Sequence, residues 1–432
     1  MAEAANPEFV SVPLVGWSHA RALAEVADVH IVTQVRNRDA FLRAGLGEGE
    51  DFTAIDSEAV AAPAYRLASR LRGGKGKGWT TVAAINALTY PYFEHLVWRR
   101  FGDDLRAGRF DLVHRLTPLS PTQASPIAGK LARAGVPFVL GPLNGGVPWP
   151  PGFDDRRRAE REWLSYVRGA YRLLPGRGAT LAHASAIIAG SRHTEAEIPA
   201  EHRHKTVYCP ENAILPERFS VPPREAPNPV ARAAFVGRLV PYKGCDMLIE
   251  AAAPLLAEGR LGLDVVGDGP EMAALRALAE RLGVADRVVF HGWRPHAEVQ
   301  DVLARADLFA FPSVREFGGG VVLEAMALGV APLVVDYAGP GELVVPGTGH
   351  TVPIGPREAI VAAMRAAMTR LAADPEGLLA TGRRARAHVL AEHTWAARAR
   401  MSLAVWDYAL GRRERPPRFF DEPPATPAAA AE

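Results

Sequence analysis

The sequence predicts an α/β protein built as two doubly wound domains facing a cleft, and three observations predict it. Short apolar runs alternate with helix-length amphipathic segments through both halves of the chain. A proline-rich stretch from Pro210 to Pro229 separates the halves. At 432 residues the chain is too long for one ordinary core.

In the first half, Phe9 to Leu14 reads as a short strand, Ser18 to Ala27 as a helix and Val29 to Thr33 as a clear strand. Leu112 to His114, Pro137 to Leu140 and Ala186 to Ala189 are further strands. In the second half the strands are Ala233 to Val236, Leu263 to Val266, Val288 to Phe290, Leu308 to Phe311 and Ala331 to Val335. Helices are expected at Asp246 to Leu256, Glu271 to Leu282 and Val321 to Leu328. The domains are expected at 1–209 and 210–395, with a helix at 396–411 packing back onto the first. The tail 412–432, rich in proline, alanine and charge, is expected to be disordered.

The composition, 48% hydrophobic and 23% charged, is that of a globular protein, and a net charge of +2 makes no case for nucleic acid. Cys209 and Cys245 are far apart and lack metal spacing, which favours a reducing, cytoplasmic setting. No apolar run reaches the length of a membrane span, and Met1 to Asn6 lacks a basic segment followed by an apolar core.

The most informative stretch runs from Arg315 to Ala327, where Glu316 and Glu324 bracket Gly318-Gly319-Gly320 between a strand and a helix. Glycines admit a ligand close to the backbone, and a helix N-terminus offers N–H groups to a phosphate. Ionised carboxylates accept paired hydrogen bonds, as vicinal hydroxyls of a sugar or ribose require. Taken alone, the segment is equally an ordinary strand–turn–helix whose glutamate suits the helix dipole. Company is supplied by Phe235-Val236-Gly237-Arg238 with Lys243-Gly244. Here two cations follow a strand's carboxyl end, where they could meet a diphosphate. No Asp-x-Asp and no zinc-type His/Cys spacing occurs, so protein cations and helix dipoles are left to stabilise such a group.

Together, Val236-Gly237-Arg238-Leu239, Lys243-Gly244, Val266-Gly267-Asp268-Gly269-Pro270, Phe290-His291-Gly292 and the Glu316/Glu324 pair resemble the donor half of retaining GT-B glycosyltransferases of family 4, over about Ala233 to Val345. Val15-Gly16-Trp17, Asp111 to His114 and Gly141 to Gly146 resemble a bacterial branch of that family more loosely.

The resemblance implies a GT-B fold of two Rossmann-like domains facing a cleft, and a hexosyltransferase-type activity. It implies transfer from a nucleoside-diphosphate sugar to an acceptor hydroxyl, with retention and without metal or cofactor. It assigns Arg238 and Lys243 to the donor diphosphate and Glu316 to the sugar hydroxyls, these three forming the catalytic set. Gly237, Gly267, Gly318, Gly319, Gly320 and Val321 would line the donor pocket, Glu324 would bind the ribose, and Trp293 and Arg294 would lie near the base. Gly16 and Trp17 would form the first-domain wall, with His114, Asn144 and Gly145 as acceptor-side candidates.

Two departures from the family pattern stand out. Leu116 replaces the second histidine of a His-x-His pattern, and the glycine-rich segment after the first strand is reduced to Gly16. These permit an alternative reading as a catalytically degenerate scaffold or binding subunit, and a sugar-nucleotide epimerase is a further alternative. Basic and aromatic residues interleave in two stretches, Arg66, Arg70, Arg72, Lys75 and Lys77 with Trp79, Tyr90, Tyr92 and Phe93, and Arg156-Arg157-Arg158 with Arg161, Trp163, Tyr166, Arg168, Tyr171 and Arg172. They raise a peripheral membrane contact toward a lipid-linked acceptor, against the plainer reading of solvated helix faces.

Overall fold

Apolar runs buried on both faces form the strands of parallel sheets, as helix-covered sheets require. The computed structural model describes residues 1–71, 79–159 and 176–420. The first domain holds β1 (Ile31–Gln34), β2 (Phe52–Ile55), β3 (Val113–Arg115), β4 (Phe138–Leu143), β5 (Ala186–Ala189) and β6 (Thr206–Tyr208). The second holds β7 (Ala231–Val236), β8 (Leu261–Val266), β9 (Val288–Gly292), β10 (Leu308–Phe311), β11 (Ala331–Asp336) and β12 (His350–Pro353).

The second sheet has the order β12-β11-β10-β7-β8-β9, with every neighbouring pair parallel. Sequence order therefore reverses between β7 and β10. At such a switch point the loops leaving adjacent strands diverge to opposite faces and open a crevice. The loops carrying Lys243 and Glu316 flank that crevice.

In the first domain β3-β4-β5-β6 form one parallel set and β1-β2 another. Residues 1–4 lie between them. Ala2 N–H donates to the Val32 carbonyl at 2.8 Å, and Leu116 N–H donates to the Met1 carbonyl at 2.8 Å. The expected strand over Phe9 to Leu14 is thus corrected: those residues form a loop and the start of the helix Val12–Ala24, whose second residue is Pro13. The strands β2, β6 and β12 lay outside the expected set.

One core cluster fills the second domain, and three others serve the first. Phe235, Phe309 and Phe311 are fully buried in the former, each worth about 1.5–3 kcal/mol in area removed from water. Tyr90 and Phe93, read above as part of an interfacial stretch, are buried in the first-domain core. Arg72, Lys75, Lys77, Arg161, Trp163, Tyr166, Arg168, Tyr171 and Arg172 lie outside the described residues, as do the side chains of Arg70 and Trp79.

The chain crosses between domains twice, and the crossings touch. Ile214 N–H donates to the His393 carbonyl at 2.9 Å and Trp395 N–H to the Ile214 carbonyl at 3.1 Å. The helix Trp395–Ala409 then returns to the first domain, where Met401 and Val405 pack with Val139, Ala186 and Ile188. Residues 412–420, expected to be disordered, are ordered against this region: the Phe420 ring lies 5.6 Å from His393 and 5.7 Å from Tyr208. Residues 421–432 lie outside the described residues.

The helix Val12–Ala24 packs on residues 1–4 through Gly16, where an added Cβ would stand 2.3 Å from the Ala4 carbonyl oxygen. Because backbone cannot yield as a side-chain tip does, Gly16→Ala is expected to destabilise the first domain by about 1–3 kcal/mol. A urea unfolding midpoint equal to that of the wild type would contradict this packing.

Candidate active site at the cleft

The loop after β7 is drawn against the loop after β10. Gly244, at φ 76°, approaches the Pro312 carbonyl so closely that an added Cβ would lie 2.4 Å from its oxygen. Val314 N–H donates to the Tyr242 carbonyl at 3.0 Å. These contacts hold the turn Pro241–Lys243 beside the carboxylate that follows β10. Lys243 forms an ion pair with Glu316, and its ammonium stands 5.0 Å over the Phe311 ring. Arg238, on the same loop, is exposed, and among the described residues its guanidinium has no ion pair or hydrogen bond. Gly267 closes the adjoining loop, where a side chain would collide with the Gly237 carbonyl.

Gly319, at φ 63°, turns the chain into the helix Gly320–Ala327. Gly318 packs against Glu211 and Asn212, leaving no room for a side chain. Glu324 sits on the same helix and faces His296, with 3.6 Å between Oε1 and Nε2. Gln300 bonds both His296 Nδ1, at 3.0 Å, and the Arg218 carbonyl. The atom facing a carbonyl must be the amide nitrogen, so Nδ1 accepts and the Nε2 proton points toward Glu324. Trp293 is 73% exposed, and Arg294 pairs with Glu298 at 3.0 Å.

A cavity of about 250 Å³ lies between the domains. The second domain contributes Glu316, Gly320, Val321, Glu324 and His296, and the first contributes Ser11, Leu14, Val15 and Ser18. The first-domain wall therefore differs from the expected one. Leu14, Val15 and Ser18 share one helical face, while Gly16 faces Ala4 and Trp17 turns edge-on to Phe41 at 4.7 Å. A larger cavity of about 380 Å³ in the first domain shares no lining residue with this cleft, and His114 is the one expected site residue it touches.

His114 is buried with both ring nitrogens engaged. Trp406 Nε1 donates to Nδ1 at 3.0 Å, so Nε2 carries the proton donated to the Gly141 carbonyl at 2.7 Å. Burial holds its pKa well below the usual histidine range. This is a neutral, structural histidine, and Leu116 beyond it is buried in the core.

Residues 220–385 match the model of the family described as glycosyl transferases group 1. The chain is 28% identical over 365 residues to 2-deoxystreptamine glucosyltransferase of Streptomyces kanamyceticus, covering 81% of this chain and 88% of that protein. It is 36% identical over 215 residues to the GDP-mannose-dependent alpha-(1-6)-phosphatidylinositol monomannoside mannosyltransferase of Mycolicibacterium smegmatis, covering 44% and 54%. The latter match thus spans about half of its relative. In three dimensions the chain resembles Anabaena Alr3699/HepE, solved in complex with UDP, with a TM-score of 0.60 at 15% identity over 94% of this chain and 98% of that one.

The fold is GT-B. In this GT-B arrangement two carboxylates, one buried and one half-buried, join the two domains. Glu211, on the first crossing, accepts from Asn144 Nδ2 at 2.6 Å, and Asn144 Oδ1 in turn accepts from Gly145 N–H at 2.7 Å. Glu342 of the second domain accepts from Arg192 N–H at 2.9 Å and from the Tyr208 hydroxyl at 3.1 Å. Asn144 and Gly145 thus buttress the linker and, through Glu211, the Gly318 backbone. Sequence reasoning missed Glu211, whose only signal was an acidic residue inside an otherwise proline-rich linker.

Burial pushes the Glu211 carboxyl up to about 7 against the opposing pull of the Asn144 hydrogen bond. The folded state then keeps a proton that the unfolded chain releases from 4.5 upward, so stability falls as pH rises to about 7 and the loss is complete above that. Glu211→Gln is expected to abolish a pH-dependent loss on the order of 3 kcal/mol. Urea unfolding at pH 5 and pH 8 reads it; an identical pH dependence in the two proteins would contradict the assignment.

Proposed function

We propose that this protein is a glycosyltransferase that moves a hexose or related sugar from a nucleoside-diphosphate sugar to an acceptor hydroxyl, with retention at the anomeric carbon and without a metal. The observation that carries the reading is the Lys243–Glu316 pair across the β7/β10 switch point, with Arg238 unpaired beside it and Glu324 on the adjoining helix. The named relatives, a glucosyltransferase and a mannosyltransferase, and the UDP held by the structural neighbour support it.

In this reading Arg238 and Lys243 bind the diphosphate, Glu316 accepts from the sugar hydroxyls, and Glu324 accepts from the ribose. The backbone of Gly318 to Val321 lines the pocket between them, and Trp293 and Arg294 border the base. As the bond from the anomeric carbon to the phosphate oxygen breaks, its electron pair goes to that oxygen, where the two cations stabilise the charge. The acceptor oxygen attacks the same face, and its proton passes to the departing phosphate. The acceptor hydroxyl would belong to polysaccharide, glycolipid or secondary-metabolite glycoside synthesis. Two buried free cysteines suit a cytoplasmic setting.

Nucleotide release from UDP, GDP, ADP and dTDP sugars tests the reading, with the product's anomeric configuration determined for the donor that reacts. Glu316→Ala and Lys243→Ala are each expected to lower kcat by about 100-fold or more, as for loss of a preorganised charge contact. Glu324→Ala is expected chiefly to raise the donor KM. Turnover absent in the wild type would favour a scaffold, an epimerised nucleotide sugar would favour the epimerase reading, and an inverted product would overturn the retaining mechanism.

A further inference from the structure

The first domain reaches across the cleft at a second place, beside the Lys243 turn. Its segment from Val147 to Arg158 leaves the acceptor-side loop and lies on the second domain. Phe153, 2% exposed, is part of the second domain's core. Trp149 meets Tyr242 edge-on at 6.1 Å, with the Arg315 guanidinium 5.1 Å from its ring centre. The Tyr337 hydroxyl donates to the Pro148 carbonyl at 2.9 Å. Arg156, read in the sequence as one of a basic run, lies 5.6 Å over the Phe153 ring and sends its fork to the Pro241 carbonyl and to Asp246.

Those two acceptors stand on either side of Lys243. Pro241 opens the turn that carries it, and Asp246 lies in the first turn of the helix that follows, Cys245–Ala257. Asp246 also takes Arg357 at 2.8 Å, and Arg357 pairs with Glu250 at 2.6 Å. Arg156 is only 13% exposed, so its hydrogen bonds face little competition from water. A bidentate guanidinium fixes both direction and spacing, which a lysine at the same place could not.

We propose that Arg156 is a positioning residue for the donor site: by bridging Pro241 and Asp246 from the opposite domain, it fixes the turn that presents Lys243 to a diphosphate. The segment Val147 to Arg158 is then a strap that makes the phosphate contact depend on the closed domain arrangement. This rests on the donor reading given above and adds to it a residue of the first domain.

Titration calorimetry of inorganic pyrophosphate into the full chain tests it without knowledge of the base or the acceptor. Wild type is expected to bind, Lys243→Ala to bind about 10-fold more weakly and Arg156→Ala about 5-fold more weakly, with Arg156→Lys falling between Arg156→Ala and wild type. Because Arg156 acts through Lys243, the double variant should bind no worse than Lys243→Ala within about 2-fold, whereas independent effects would multiply. Wild-type affinity in a folded Arg156→Ala, or multiplied penalties, overturns the inference and leaves the donor reading standing. Should Arg156→Ala fail to fold, Arg156→Lys decides by the same comparison. A wild type that binds no pyrophosphate overturns the donor reading itself and this inference with it.

Discussion

The arrangement of the two domains depends on the paired crossing, where Ile214 meets His393 and Trp395 through backbone hydrogen bonds. Each domain has its own buried clusters, and of the first-domain strap only Phe153 enters the second domain's core. Two crossings held side by side join the domains at one edge, and the strap at Phe153 and Arg156 joins them at another. The returning helix is anchored in the first domain, where His19 Nε2 and Ser402 Oγ lie 2.9 Å apart. Burial and the neighbouring Arg398 cation depress His19 to about 3, so this contact keeps an uncharged ring at ordinary pH. Buried Arg398 bonds His393 Nδ1 at 2.7 Å, tying the return crossing to its own helix.

Parallel topology decides where chemistry can occur. Every strand of the second sheet points its carboxyl end toward the same edge, and the reversal between β7 and β10 leaves a gap there. Strand-end loops supply the cation, the carboxylate and the glycine turn, while the first domain supplies a helix face rather than a glycine-rich loop. Two carboxylates at the domain junction are the buried Glu211 and the half-buried Glu342. Burial raises both, and Glu342 further opposes ionisation of Glu211, while Glu342 itself is offset by two backbone N–H groups and a tyrosine hydroxyl.

Legibility in the sequence followed the range of the interactions. β10 at Leu308–Phe311 and β5 at Ala186–Ala189 were read to the residue, because an apolar run bounded by turns is local information. Arg238, Lys243 and Glu316 stand in loops that leave strand ends, and Glu324 on the helix that follows, so the sequence alone could single them out as candidates. Residues 1–4 were not, since Met-Ala-Glu-Ala has no strand pattern and pairs only because Val32 and Leu116 flank it. The helical face that lines the cleft was misassigned to Gly16 and Trp17, because a glycine that admits close packing looks the same in sequence as one that admits a ligand. Arg156 was read as surface charge; its partner Asp246 lies 90 positions away, beyond any local pattern.

On the proposed donor reading, the Lys243–Glu316 pair would also set the character of binding. Both side chains are partly buried, so each charge is stripped of much of its water and leans on the other. Removing either partner would strand a half-buried charge, which explains why cation and carboxylate occur together rather than as separate devices. A diphosphate entering the crevice offers Lys243 a second anion, and a sugar hydroxyl offers Glu316 a donor in exchange. Arg238, exposed and unpaired, has to give up its hydration instead. The two cations therefore differ in kind: Lys243 is held by its carboxylate and its turn, while Arg238 is exposed on the same loop.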